Sequence, residues 1–496
     1  MLLFVLGILL LILGYLTYGR FIEKVLGPDD RATPAVAQAD GVDFVVLPHW
    51  KNMLIQLLNI AGIGPVIGVI LGIKFGEIVF VIIPIGNVIG GAVHDFCAGM
   101  MSLRNNGANL PTLISKMLGN SVGRIFSWFM TVLLLLVVAV FINVPAQLLN
   151  GSLRNYFAEA AERPEASELV RNLAHFNFFW IFVLLIFVYY VLATLFPVDR
   201  IIGRVYPFFG ALLLISTLIL GVILVWHAAK DPALLQESAA FKEGMFKQPI
   251  IPMLFVTIAC GILSGFHATQ APIVARTMKS EREARSTFYG MMIVEGVIGM
   301  IWAAGGMAIY NLFPEYMKLA PAVVLGHLTS HFLGAWIGGF TVLGVVVLAV
   351  TSGDTALRSL RLSLAEMFHC DQTALSKRLL VSLPLIGVVA LLLWWSNQDA
   401  KSFNYLWNYF AWGNQVLAAF TLMAAAVWMK SQKISPLPTL APGAFISFVV
   451  LTYILWVKPP VGPIGLGLPL SYAMIFAGAL TLVLAMMALT DGTERK

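Results

Sequence analysis

Charge is scarce in this 496-residue chain: Asp, Glu, Lys and Arg together make up 11% of it, against roughly 25% in an average soluble domain. That shortage excludes an ordinary water-solvated surface. Cysteine is scarce too, with Cys97, Cys260 and Cys370 far apart and forming no CxxC pair, so neither a disulfide framework nor a zinc site is implied. The net charge of +6 is spread over short loops and forms neither the basic face nor the basic tail that a nucleic-acid partner would need. No Walker loop, dinucleotide glycine fingerprint, HExxH pair or GxSxG elbow occurs. ATP hydrolysis and the familiar soluble chemistries therefore have no support, and any uphill transport must draw on an ion gradient.

What is abundant is apolar side chain, 59% of all residues, gathered in runs of the roughly 20 residues that a helix needs to cross a bilayer. These runs predict an all-α polytopic membrane protein with about thirteen transmembrane helices. The first six are expected near 2–18, 53–72, 75–103, 125–148, 175–196 and 205–227. The other seven are expected near 250–277, 286–311, 331–357, 378–396, 403–429, 439–458 and 468–489. The first run has no basic start and no small-residue cleavage site, so it reads as a retained span and not as a signal peptide. Of the 31 Lys and Arg residues, 21 fall in the loops after odd-numbered spans. Positive charge stays on the cytoplasmic side, which predicts an outer N-terminus and a cytoplasmic C-terminus. The polar stretches Asn150 to Ala174 and Lys230 to Lys247 then lie outside, each suited to a short amphipathic helix.

Two spans carry helix breakers near mid-membrane. Span 2 contains Gly62, Gly64, Pro65 and Gly68, and span 7 contains Gly261, Ser264, Gly265, His267, Thr269, Gln270 and Pro272. Proline removes a backbone donor and glycine lowers the cost of unwinding, and unwound backbone at this depth persists only inside protein or along a cavity. The two spans are five crossings apart and so run in opposite directions. Paired broken helices of this kind are the sequence mark of an inverted repeat with a substrate site between its halves. Spans 2 to 6 (53–227) and 7 to 11 (250–430) are the expected repeats, with 1–20 and 439–489 as peripheral helices. A glycine packing seam is the alternative, but a seam needs no histidine. Gly62, Gly64, Pro65, Ser264, Gly265, His267 and Gln270 are thus candidate substrate-binding residues.

Ionisable groups inside spans usually mark a pathway or relay. His94 and Asp95 on span 3 stand about 100° apart around the helix and are expected to face different neighbours. Glu295 is isolated near the middle of span 8, and Thr351, Ser352 and Asp354 close span 9, with Arg358 and Arg361 following. Each group has a structural alternative: an interhelical hydrogen bond at His94 and Asp95, a neutral or paired acid at Glu295, and an Asp–Arg contact at Asp354. His94, Asp95, Glu295, Thr351, Ser352 and Asp354 are the candidate ion-coupling residues.

The strings Asp30-Arg31-Ala32-Thr33-Pro34-Ala35 and Asp40-Gly41-Val42-Asp43-Phe44-Val45 resemble the opening signature of the carbon starvation protein A (CstA) family. Further matches in order and spacing are Ile60 to Gly68, Gly91-Ala92-Val93-His94-Asp95-Phe96 and Thr257 to Ala268. The resemblance runs from about residue 20 to about 430 and is similar to a short form of that family. It implies a LeuT-like fold and inner-membrane import of peptides, or of pyruvate in close relatives, during carbon starvation. It also makes Thr351, Ser352 and carbonyls near Gly62 candidates for a shared cation, a site that proton-coupled relatives leave without sodium. The expectation is an ion-coupled transporter, proton before sodium, carrying a small-molecule substrate with no cofactor beyond H+ or Na+. Pyruvate is the second cargo, and a channel or a membrane enzyme built around His94, Asp95 and His267 is the reading of another class.

Overall fold

The computed structural model describes every residue except 42–43, 196–197, 239–240, 242–247, 371, 373 and 491–496; for 194–195, 198–207, 209 and 400 it describes backbone alone. Val42 and Asp43 of the opening signature, and residues 239–240 and 242–247 of the second outer polar stretch, lie outside the described residues.

All regular structure among the described residues is helical, as hydrocarbon requires of a chain that must satisfy every backbone group within its own segment. The long helices are α1 Leu2–Leu26, α2 His49–Ile60 continued by Gly64–Phe75, α3 Val79–Leu103 and α4 Asn120–Ala161. Next come α5 Phe179–Leu195, α6 Val198–Lys230 and α7, which is divided into Ile250–Leu254, Phe255–Thr257, Ala259–Ile262 and Gly265–Ala275. The chain ends with α8 Glu281–Leu312, α9 Pro321–Met367, α10 Leu375–Ser396, α11 Ala400–Ser431, α12 Leu437–Trp456 and α13 Leu470–Thr490. Among the described residues, ten helices are long and apolar enough to cross a bilayer singly, and two bent pairs raise the number to at most twelve, against the thirteen expected from sequence. The short pieces of α7 are not among them.

Burial separates centre from rim. The most apolar stretch of α8 is 89% buried, whereas those of α1, α10 and α13 are 28%, 28% and 22% buried. The loops sort onto two faces. Buried Glu281, the first residue of α8, accepts from Arg104 after α3 at 3.0 Å and lies 3.6 Å from Arg31 of the first loop, so three basic loops share one face. On the other face the Met1 amino group donates to the Leu235 carbonyl at 3.0 Å. Leaving Arg104 without its carboxylate costs about 3–5 kcal/mol, the usual penalty for breaking a buried pair. Glu281→Gln is therefore expected to lower the melting temperature of the purified protein in a detergent thermal-shift assay, and an unchanged midpoint would show the pair to be inert.

Helices α4 and α9 run beyond the sequence expectation. Helix α4 continues through Ala161, so the first part of the outer polar stretch prolongs a span, and the separate amphipathic helix is Glu168–His175, capped by Ser167. Apolar periodicity stops at the membrane surface, but a helix of good formers such as Ala158, Glu159, Ala160 and Ala161 need not. Helix α9 begins at Pro321 and not near 331, because Gly334, at φ +74°, turns the chain within it. A Cβ at Gly334 would meet nothing within 4 Å, so Gly334→Ala should cost only the strain of this glycine-only backbone conformation, about 1–3 kcal/mol, read as a drop in the same thermal-shift midpoint.

Candidate functional site

The break in α2 follows directly from its sequence. Ala61 leaves the helical region at ψ 45°, and helix resumes only at Gly64 and Pro65, where the missing N–H costs nothing at a helix start. The two halves are bent by 52°. In α7, Leu263 and Ser264 are fully extended before helix resumes at Gly265. The two breaks touch: a Cβ on Gly64 would sit 2.2 Å from the Cβ of Cys260, and one on Gly261 would sit 3.0 Å from Val69. Helix α3 joins them, since a Cβ on Gly91 would sit 2.3 Å from the Ile262 carbonyl oxygen.

Beside the α7 break lies a continuous chain of buried titratable groups. His94 Nδ1 is 2.8 Å from Asp95 Oδ1, and the other Asp95 oxygen is 3.2 Å from His267 Nδ1. His267 Nε2 then stands 3.8 Å from Glu295 Oε1. None of the four residues is more than 2% exposed. His267 occupies the first turn of the resumed helix, where unsatisfied N–H groups carry partial positive charge and favour the Asp95 carboxylate. Among the described residues, His94 Nε2 and both Glu295 oxygens have no hydrogen-bond partner. Both ends of the chain are thus open to a proton, and its middle is fixed.

Charge counting shows what the cluster can do. Two carboxylates and two neutral imidazoles carry −2, so two dissociable protons make the site neutral, and burial penalises departures from neutrality. Four adjoining side chains offer places for those protons. His94 and Asp95 do not face different neighbours as their 100° separation predicts, because Nδ1 sits close to the backbone and reaches the adjacent carboxylate. Helical spacing fixes where a Cβ points, not where a ring nitrogen ends.

The other predicted residues separate into groups. Gly62 faces Ser352, whose Oγ would lie 3.5 Å from a Cβ there, and the Ser352 hydroxyl donates to the Leu58 carbonyl at 3.4 Å. Thr351 spends its hydroxyl on its own helix, donating to Val347 and Leu348. Ser264 ends the extended stretch without capping the helix, and Gln270 donates to Thr269 while its own oxygen has no partner. Gly265 serves close packing: a Cβ would sit 2.2 Å from Leu417 and 2.6 Å from the Asn414 carbonyl of α11. Asp354, two residues and 200° beyond Ser352, lies 3.9 Å from Arg358 and outside the His94–Glu295 chain.

Two contributors escaped sequence reasoning. Asn87 donates to the Met292 carbonyl at 2.9 Å and would meet a Cβ on Gly296, the residue after Glu295, at 2.7 Å. It begins a π-turn in α3, Asn87–Gly91, a distortion common at functional sites, and a lone amide in an apolar span was the available signal. Cys260 is the other, discoverable only by knowing which glycine it meets.

The carbon starvation protein CstA family matches residues 1–167, 160–327 and 315–453. An uncharacterized membrane protein of Haemophilus influenzae is 43% identical over 341 residues, covering 63% of this chain and 92% of that one. The peptide transporter CstA of Helicobacter pylori is 31% identical over 58% of this chain and 48% of its own. The pyruvate/proton symporter BtsT of Escherichia coli is 28% identical over 58% of this chain and 46% of its own. The chain thus spans about half the length of these two named relatives. Among solved structures, a Na+-coupled sialic acid symporter matches over 97% of both chains at 10% identity and a TM-score of 0.47. The inward-facing conformation of Mhp1 matches at 12% identity and 0.45.

Proposed function

We propose that this chain, which belongs to the carbon starvation protein CstA family, is a proton-coupled secondary transporter that imports short peptides across the bacterial inner membrane. The observation that carries the reading is the buried row of His94, Asp95 and His267, hydrogen-bonded in sequence, with Glu295 3.8 Å beyond His267 at the α7 break. Such a line can take up a proton where unwound backbone can take up a solute. A third dissociable proton would bring the cluster to +1, and a substrate carboxylate held nearby offsets that charge. Proton and carboxylate then favour each other's binding, which is the thermodynamic content of symport. Positive charge concentrated in the loops after odd-numbered helices supports a periplasmic N-terminus and a cytoplasmic C-terminus.

Pyruvate is the second reading, favoured by the resemblance to the E. coli pyruvate/proton symporter. Sodium is the alternative ion, through Thr351, Ser352 and the carbonyls around Gly62. One preparation separates these cases: accumulation of labelled dipeptide and labelled pyruvate in proteoliposomes, each under a proton gradient and under a sodium gradient. Dipeptide accumulation driven by protons alone is expected. Pyruvate accumulation alone would replace the cargo, sodium dependence would replace the ion, and cargo recovered chemically altered would point to an enzyme.

A further inference from the structure

On the face that carries the N-terminus, a cavity of about 180 Å³ opens between the outer halves of α2 and α7 and the helices α4 and α11. At the roughly 10–15 Å³ that one water needs, it takes on the order of ten small groups, the scale of a dipeptide. Its wall holds Gln147, Gln248, Asn404 and Asn408 beside Phe403 and Trp407, and among the described residues no charged side chain lines it. We propose that this cavity binds short peptides by their backbone and terminal groups, and discriminates against monocarboxylates. The inference rests on the transport reading above and adds to it an outer entry site, separate from the buried cluster, none of whose four residues lines the cavity.

The amides are set as acceptors. Gln147 donates to Asn143 Oδ1 at 2.6 Å, and Asn408 donates to the Val461 carbonyl at 2.9 Å, which leaves each amide an oxygen to offer an occupant. Donors adjoin them. Trp407 is 5% exposed and among the described residues its Nε1 has no partner, and the first residues of α9, from Ala320 to Ala322, line the cavity with their helix N-terminus. A peptide supplies an ammonium and an amide N–H for the oxygens, and a carbonyl and carboxylate for the indole and the helix end. Pyruvate has no N–H at all, so it would leave the amide oxygens desolvated and unpaired, which costs affinity. Aromatic walls at Phe403 and Trp407, with ring centroids 6.5 Å apart, accept apolar side chains.

Equilibrium dialysis of the full chain in nanodiscs, without any gradient, tests this apart from transport. Labelled dialanine should bind the wild type, and Gln147→Met and Trp407→Phe should each weaken it about tenfold, the scale of one hydrogen bond. Excess pyruvate or alanine should not displace it. Equal displacement by pyruvate or alanine would overturn the chemical class, and unaltered binding in both variants would overturn the site. Absence of dialanine binding overturns the proposal outright. Proteoliposome uptake by the same wild-type sample reports separately whether the transport reading stands.

Discussion

Glu295→Gln is expected to abolish proton-driven accumulation while leaving counterflow exchange near the wild-type rate. The carboxyl is fully buried and, among the described residues, no hydrogen bond holds either oxygen. Its amide analogue therefore imitates the protonated acid in size and charge without breaking a bonded network. Uphill movement requires the site to gain and lose a proton on opposite sides of the membrane, whereas exchange of labelled for unlabelled cargo needs only the loaded carrier to reorient. A permanently neutral side chain stops the first process and permits the second. Coupling free energies of about 1–3 kcal/mol are ordinary for linked sites, so accumulation ratios should fall by roughly five- to more than a hundredfold, to the level of an ungated leak. Accumulation equal to wild type would remove Glu295 from the pathway. Loss of exchange together with accumulation would show that the acid holds the helices and carries no proton.

The same residues show how much of the molecule can be read from its sequence. The apolar spans, the two faces and the paired breaks follow from apolar run length, basic-residue bias and the Gly-Pro positions, all local properties of a chain whose solvent is lipid. The candidate site was legible as a set of residue types: His94, Asp95, His267 and Glu295 stand out because a titratable group in hydrocarbon is expensive. Their assembly into one line was not legible, since it depends on which faces of α3, α7 and α8 meet. Nor could spacing distinguish Glu295, inside the cluster, from Asp354, which lies at Arg358 instead. Gly265 and Gly62 looked alike in sequence, yet one is wedged against Leu417 and the other faces Ser352 with room to spare. Glycine reports that backbone must come close or bend, and only the fold says to what.

Gly64 puts that distinction to its sharpest test. A methyl group there would lie 2.2 Å from the Cys260 Cβ and 2.6 Å from its sulfur, far inside contact distance, at the point where the two broken helices cross. Neither helix can yield cheaply, because Gly91 of α3 already approaches the Ile262 carbonyl and Gly72 of α2 is closed by Ile258. Gly64→Ala should thus cost about 1–3 kcal/mol of overpacking and eliminate both accumulation and exchange, unlike Glu295→Gln. Cys260→Gly removes the offending Cβ and sulfur, so the double variant Gly64→Ala/Cys260→Gly should recover thermal stability and a measurable share of exchange. The recovery would appear as a coupling energy of about 0.5–3 kcal/mol in a double-mutant cycle. Independent, additive losses would mean that the two breaks do not meet at these residues. Recovery of stability without exchange would mean that the cysteine contributes to transport beyond filling the crossing.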